Sequence, residues 1–179
     1  MLRRTILALL LVPMIGLRAA QTQWQLDQST LTYHVSHPLH QVEGVSHAAR
    51  GKGICDAGEC NFLIAVPVKF FDSGDSNRDL HMLQATRGAE NPIVTVRTRI
   101  PESEIRPGTI HADLEIQLAG TTATFKQIIF QLAKAGDQIK LSGTIPATLS
   151  DFKIEPPSLL SIAVKNEIPV RVEMTWKRG

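Results

Sequence analysis

The sequence predicts an all-β fold: an antiparallel barrel or sandwich of about eight or nine strands, with one short helix. Three observations lead there. Apolar residues recur at every second position over most of the chain, the period of strands with one covered face. Short breaks, several of them containing glycine, separate these runs at fairly even spacing, which fits hairpins and not βαβ units. Cys55 and Cys60, the only cysteines, bracket the hairpin-like loop Asp56-Ala57-Gly58-Glu59 and can bridge it in an oxidising compartment.

The chain opens with the pattern of an export signal. Arg3 and Arg4 precede an apolar stretch from Thr5 to Leu17, and Ala19-Ala20 offer small residues for cleavage. The stretch is shorter than the ~20 apolar residues that span a bilayer. We expect residues 1–20 to be a signal peptide, residues 21–179 to form one domain, and the mature protein to be periplasmic or secreted. Processing after Ala20 removes Arg3, Arg4 and Arg18, so the formal charge of +2 becomes −1. No run of Lys or Arg remains that could neutralise a phosphate backbone, which argues against nucleic acid as a partner. No later segment is long and apolar enough for a membrane-spanning helix.

The strands follow in order. Leu31, Tyr33 and Val35 alternate with Thr32, His34 and Ser36. The run Phe62 to Phe71 is apolar on both faces as far as Lys69, so it is expected to be covered on both sides. Val94 and Val96 alternate with Thr95 and Arg97; Ala112, Leu114, Ile116 and Leu118 with His111, Asp113, Glu115 and Gln117. Ile128, Phe130 and Leu132 form the next apolar face, then Ile139 with Leu141, then Val170, Val172 and Met174. Pro107-Gly108, Ala119-Gly120 and Ala135-Gly136-Asp137 are the turns between strands. The polar stretch Asp72 to Asn77 can cap a helix, with Leu80 and Leu83 on its apolar face. Asp151 to Ser158, with Pro156-Pro157, reads as an extended or irregular loop.

Several of these segments resemble the YceI-like family of exported, lipocalin-like barrel proteins. The resemblance begins at Trp24-Gln25-Leu26-Asp27 and continues through the alternating run that ends in His37, with Gly44 after it. It takes in the helix entry from Asp72 to His81, the strand beginning Asn91-Pro92-Ile93, the strand end Ile116 to Gly120, Asp151-Phe152 and the closing strand from Glu167. It implies an antiparallel lipocalin-like β-barrel of about eight strands holding a long apolar chain, such as a polyisoprenoid or a quinone tail. This chain departs from the family pattern at Val45-Ser46 and Ala85-Thr86-Arg87-Gly88, where aromatics are usual, and at Lys153, where glycine is usual.

Strand parity nominates Tyr33, Val35, Val66, Val94, Leu114, Ile116, Phe130 and Val172 as wall residues for such a ligand, with His37 and Leu80 nearer the mouth. A packed core would show the same alternation. With six Phe, two Trp and one Tyr, a wide interior would be lined mainly by Val, Ile and Leu, which suits a hydrocarbon tail. No cofactor is expected. His34, His37, His40 and His47 are the candidate metal ligands, but parity puts His34 and His37 on opposite faces and no acidic or thiolate set joins them. Ser73, Ser76, Asp79 and His81 hold the residue types of a catalytic triad within one short turn and helix, where capping and a local Arg78–Asp79 ion pair explain them better. Arg97 and Arg99 are expected on a solvated outer face. A binding protein is the leading reading; a ligand-free structural or stress-related domain is the alternative.

Overall fold

The computed structural model describes residues 21–37, 40–159 and 162–179, with only the backbone of His40 and Leu159. The expected signal segment and Pro38 lie outside these residues. Among the described residues eleven strands appear in chain order: β1 (Thr22–His37), β2 (His40–Ser46), β3 (Arg50–Asp56), β4 (Glu59–Pro67), β5 (Ile93–Pro101), β6 (Gly108–Leu118), β7 (Thr121–Ala135), β8 (Gln138–Ile145), β9 (Ser158–Leu159), β10 (Ile162–Ala163) and β11 (Val170–Arg178). The helix α1 spans Ser76–Ala85.

Neighbours pair antiparallel from β3 through β8, β8 pairs with β11, and β11 pairs with β1, closing the sheet on itself. β1 is long enough to take two partners on its other edge. Its first residues, Thr22–Gln25, pair with β3, and Leu31–His37 pair with β2. β2 and β3 therefore share one position around the circumference, which makes an eight-stranded antiparallel barrel. Closure removes the unpaired edges that an open sheet would expose. β9 and β10 form a short hairpin inside the long β8–β11 connection.

Two β-bulges keep the alternation in register with the interior. In β1, Asp27 is the extra residue between the pairs Leu26–Trp176 and Gln28–Thr175. Inward positions are even before it (Trp24, Leu26) and odd after it (Ser29, Leu31, Tyr33). In β7 the register shifts opposite Ala112 and Leu114. Gln127 takes φ 55° there, and its N–H donates to the Asp113 carboxylate at 2.8 Å. Phe125 and Ile128 both face inward as a result.

The tight turns follow from backbone chirality. Ala57-Gly58 and Ala119-Gly120 each place two residues at positive φ, the two-residue hairpin turn whose twist matches that of the flanking strands. Cys55 and Cys60 are directly paired across the first hairpin and joined by a disulfide. Both are buried among the core residues at that end of the barrel.

The 62–71 run differs from expectation. β4 stops at Pro67, a single 3-10 turn follows at Val68–Phe70, and only the inward side is covered. Leu63 and Phe70 are exposed, because the outer face of a lone barrel has no second layer to cover it. The helix also begins differently. Asp75, not Ser76, is its N-cap, accepting from the N–H groups of Asn77 and Arg78. Arg78 and Asp79 do not pair with each other; both hold Ser73. Arg78 donates to the Ser73 carbonyl and hydroxyl, and Asp79 accepts from the Ser73 N–H.

Candidate functional site: an apolar cavity in the barrel

The inward faces of the strands do not fill the barrel. They surround a cavity of about 250 Å³. Well-packed interiors hold few voids larger than a water molecule, so a fully packed barrel does not describe this one. Seven of the eight strand positions contribute to the wall, all but the one that β2 and β3 share: Tyr33 and Val35 from β1, Ile64 and Val66 from β4, Val94 and Val96 from β5, Leu114 and Ile116 from β6, Phe130 and Leu132 from β7, Leu141 from β8, and Val172 and Trp176 from β11. The wall is almost wholly apolar. Its hydroxyl groups belong to Tyr33, Thr86 and Thr98. Thr86 donates to the Met82 carbonyl, and Thr98 Oγ1 is buried without a partner among the described residues.

The two ends of the cavity differ. Around the turns that join β3 to β4 and β7 to β8, wall residues Ile100, Ile105, Ile110, Leu132, Ile139 and Trp176 are buried. At the α1 end, Tyr33, Val35, Phe71, Met82, Val94, Ile168 and Val170 are only partly buried. The cavity therefore opens beneath α1, between the β1–β2 hairpin and the long β8–β11 connection. Arg87 fixes the helix there by donating to the Ala119 carbonyl.

Glycine makes room for the aromatic part of the wall. The Tyr33 ring lies flat over Gly44, its partner across the β1–β2 pair, so that a Cβ at Gly44 would sit 2.3 Å from the ring. Phe130 covers Gly143 in the same way across β7–β8, and Phe62 covers Gly53 across β3–β4. Such pairs let large rings lie along the wall instead of across the lumen. The histidine-then-glycine pattern that ends the first alternating run is explained in part by this contact, since Gly44 is the floor under Tyr33.

Of the nominated residues, Tyr33, Val35, Val66, Val94, Leu114, Ile116, Phe130 and Val172 line the cavity. Leu80 does not. It is 53% exposed, because Met82 and Thr86 are one helical turn apart and share the face that meets the cavity, whereas Leu80 lies two residues before Met82 and so points away. His37 is also not among the wall residues. It is 6% exposed and its Nε2 is 3.2 Å from the Ile162 carbonyl, tying β1 to β10. Parity overlooked the loop contributions, Phe71, Met82, Leu149, Phe152 and Ile168. Phe71 closes the apolar run from Phe62, and Phe152 and Ile168 fall in the Asp151-Phe152 motif and the closing strand of the resemblance.

The remaining candidates take surface or structural places. His34 faces outward, bonded to Glu43 and Gln41, and His47 bonds Thr30 and the Ser29 carbonyl. Neither joins His37. The described residues offer one group of metal-ligand type, Cys55, Cys60 and Glu102, and its two sulfurs are consumed by the disulfide. Arg97 and Arg99 lie on the outer face, paired with Glu115 and Glu59. No described helix is long and apolar enough to cross a membrane.

No family model and no curated protein sequence matches the chain. Solved structures do. A polyisoprenoid-binding domain from Saccharophagus degradans, implicated in plant cell wall breakdown, superposes with a TM-score of 0.72 at 14% identity, covering 87% of this chain and 98% of its own. BcnA of Burkholderia cenocepacia gives 0.67 at 16% identity, covering 82% and 95%. A variant of the Campylobacter jejuni YceI protein gives 0.57 at 17% identity, covering 78% and 86%. The barrel is thus the fold of the polyisoprenoid-binding and YceI proteins, spanning nearly the full length of the first two.

Proposed function

We propose that this chain is an exported YceI-like binding protein that holds one long apolar chain, of isoprenoid type, in its barrel. The observation that carries the reading is the cavity: apolar from its buried end to the α1 opening, and walled by seven of the eight strand positions. Such a surface gains from removing hydrocarbon from water, at about 25 cal/mol per Å². It offers few polar groups to orient a small polar substrate, so binding explains it better than catalysis. The fold shared with a domain described as polyisoprenoid-binding supports the ligand class. The disulfide supports an oxidising compartment, and residues 1–20 supply the export pattern.

Native mass spectrometry of the protein purified from its own host tests the carrier reading. The expected result is an added mass that survives gentle ionisation and extracts into organic solvent. Protein that arrives without such a mass and takes up no polyprenyl chain would overturn it. The intact mass of the exported protein tests the processing: a chain beginning near residue 20 or 21 is expected, and one still beginning at Met1 would refute it.

A further inference from the structure

Two hydroxyls of the apolar wall stand at the α1 end, and that of Thr86 already donates to the Met82 carbonyl. Tyr33 points inward from β1, its ring fixed between the backbone of Gly44 and the Phe71 ring, whose centroid is 5.6 Å away. A Cβ at Gly44 would come within 2.6 Å of the hydroxyl oxygen, so the ring rests on the β2 backbone. The hydroxyl itself bonds to no described residue. Above it lies the first turn of α1. Burial, and then the Asp79 carboxylate, raise the Tyr33 phenol above its ordinary pKa, with Arg78 acting in the opposite direction. The phenol therefore stays protonated and can donate.

The entry of α1 carries more acid than base. Residues 72–81 carry Asp72, Asp75 and Asp79 against one guanidinium, that of Arg78, and Arg78 is already engaged with Ser73. An anionic group arriving beside Tyr33 would meet the Asp79 carboxylate in a partly desolvated site, where repulsion is stronger than in water. A neutral oxygen would meet a fixed donor.

We propose that Tyr33 selects the head of the bound chain, its phenol donating a hydrogen bond to a neutral oxygen acceptor (carbonyl, hydroxyl or ether), while the acidic entry of α1 disfavours a phosphate or carboxylate. This inference rests on the carrier reading and narrows it to neutral-headed lipids.

Three probes with the same C20 isoprenoid chain test it on the delipidated full-length mature protein: the hydrocarbon, the alcohol and the monophosphate. The alcohol is expected to bind best and the phosphate at least tenfold more weakly. Tyr33→Phe keeps the ring over Gly44 and should weaken the alcohol about fivefold, the scale of one net hydrogen bond, without changing the hydrocarbon. Asp79→Asn, which keeps the acceptor for the Ser73 N–H, should narrow the gap between alcohol and phosphate. Phosphate binding as tightly as alcohol, or Tyr33→Phe weakening hydrocarbon and alcohol alike, would overturn the inference while leaving the carrier reading intact. If neither hydrocarbon nor alcohol binds the wild-type protein, the carrier reading falls and this inference falls with it.

Discussion

At the scale of single residues, backbone conformation explains several otherwise unremarkable positions. Lys153 takes φ 56° at the end of the 3-10 turn Ser150–Phe152, where a Cβ crowds the following carbonyl. The related barrel pattern has glycine there, and Lys153→Gly should stabilise the fold by roughly 0.5–1 kcal/mol, since removing the strain outweighs the extra chain entropy. Thermal unfolding would read this as a rise of a few degrees; an unchanged or lower midpoint would refute it. Gly143 is the opposite case. A Cβ there would meet the Phe130 ring at 2.4 Å and the Ile129 carbonyl oxygen at 2.8 Å. The ring can turn but the backbone cannot, so Gly143→Ala should cost about 1–3 kcal/mol. The alternative outcome, a neutral substitution, would mean that β7 and β8 are less closely apposed than the structure has them.

At the scale of elements, the β3–β4 hairpin and α1 behave differently. The hairpin is held twice, by its turn and by the Cys55–Cys60 disulfide. Closing so short a loop is worth about 2 kcal/mol on the chain-entropy model. The double Cys→Ala variant should therefore fold, with a melting point lower by about 5 °C; failure to fold at all would show that the bridge does more than tie one hairpin. Helix α1 depends on a carboxylate. The backbone N–H of Arg78 is the main influence holding Asp75 below its ordinary value of 3.8. A group depressed on folding stabilises above its unfolded pKa, and that stability is lost as pH falls through the folded value. Hydrogen exchange in residues 76–85 should accordingly quicken as pH drops below about 4, after correction for the intrinsic rate. Asp75→Asn, which can still cap, should remove that pH dependence. Equal loosening of the barrel strands over the same range would sink the assignment to Asp75.

At the scale of the whole molecule, the cavity sets what the barrel can bind and how stable it is when loaded. Val96 is a partly exposed wall residue on β5, so Val96→Phe can extend into the lumen without displacing packed neighbours. It should keep the fold and lose most ligand retention, whereas Leu114→Arg, which buries an unpaired charge, should lose retention and stability together. Because a ligand bound only to the native state stabilises it by mass action, about 2.7 kcal/mol at a hundredfold excess over Kd, stripping lipid from host-purified protein should lower its melting point. A stripped protein that melts no lower would argue that the cavity holds nothing in the cell.

The sequence by itself determined the strands, their inward faces and several turns, because alternation, β-branched residues and glycine act over a few residues. Tyr33, Leu114, Phe130 and Val172 could be placed on the inward face from parity alone. Only the tertiary structure decided how that sheet closes and what its interior contains. The β1–β11 pairing joins residues some 150 positions apart, and no local pattern encodes it. The bulges at Asp27 and Gln127 leave little trace in composition, yet each reverses the parity of the strand beyond it. Whether apolar faces meet or stand apart depends on the strand count and on rings lying over Gly44, Gly53 and Gly143, which alternation cannot register. Leu80 lies on the helix at the mouth without lining the cavity for a related reason: an amphipathic pattern does not say which face of a short helix covers an opening until the strands fix where that opening lies.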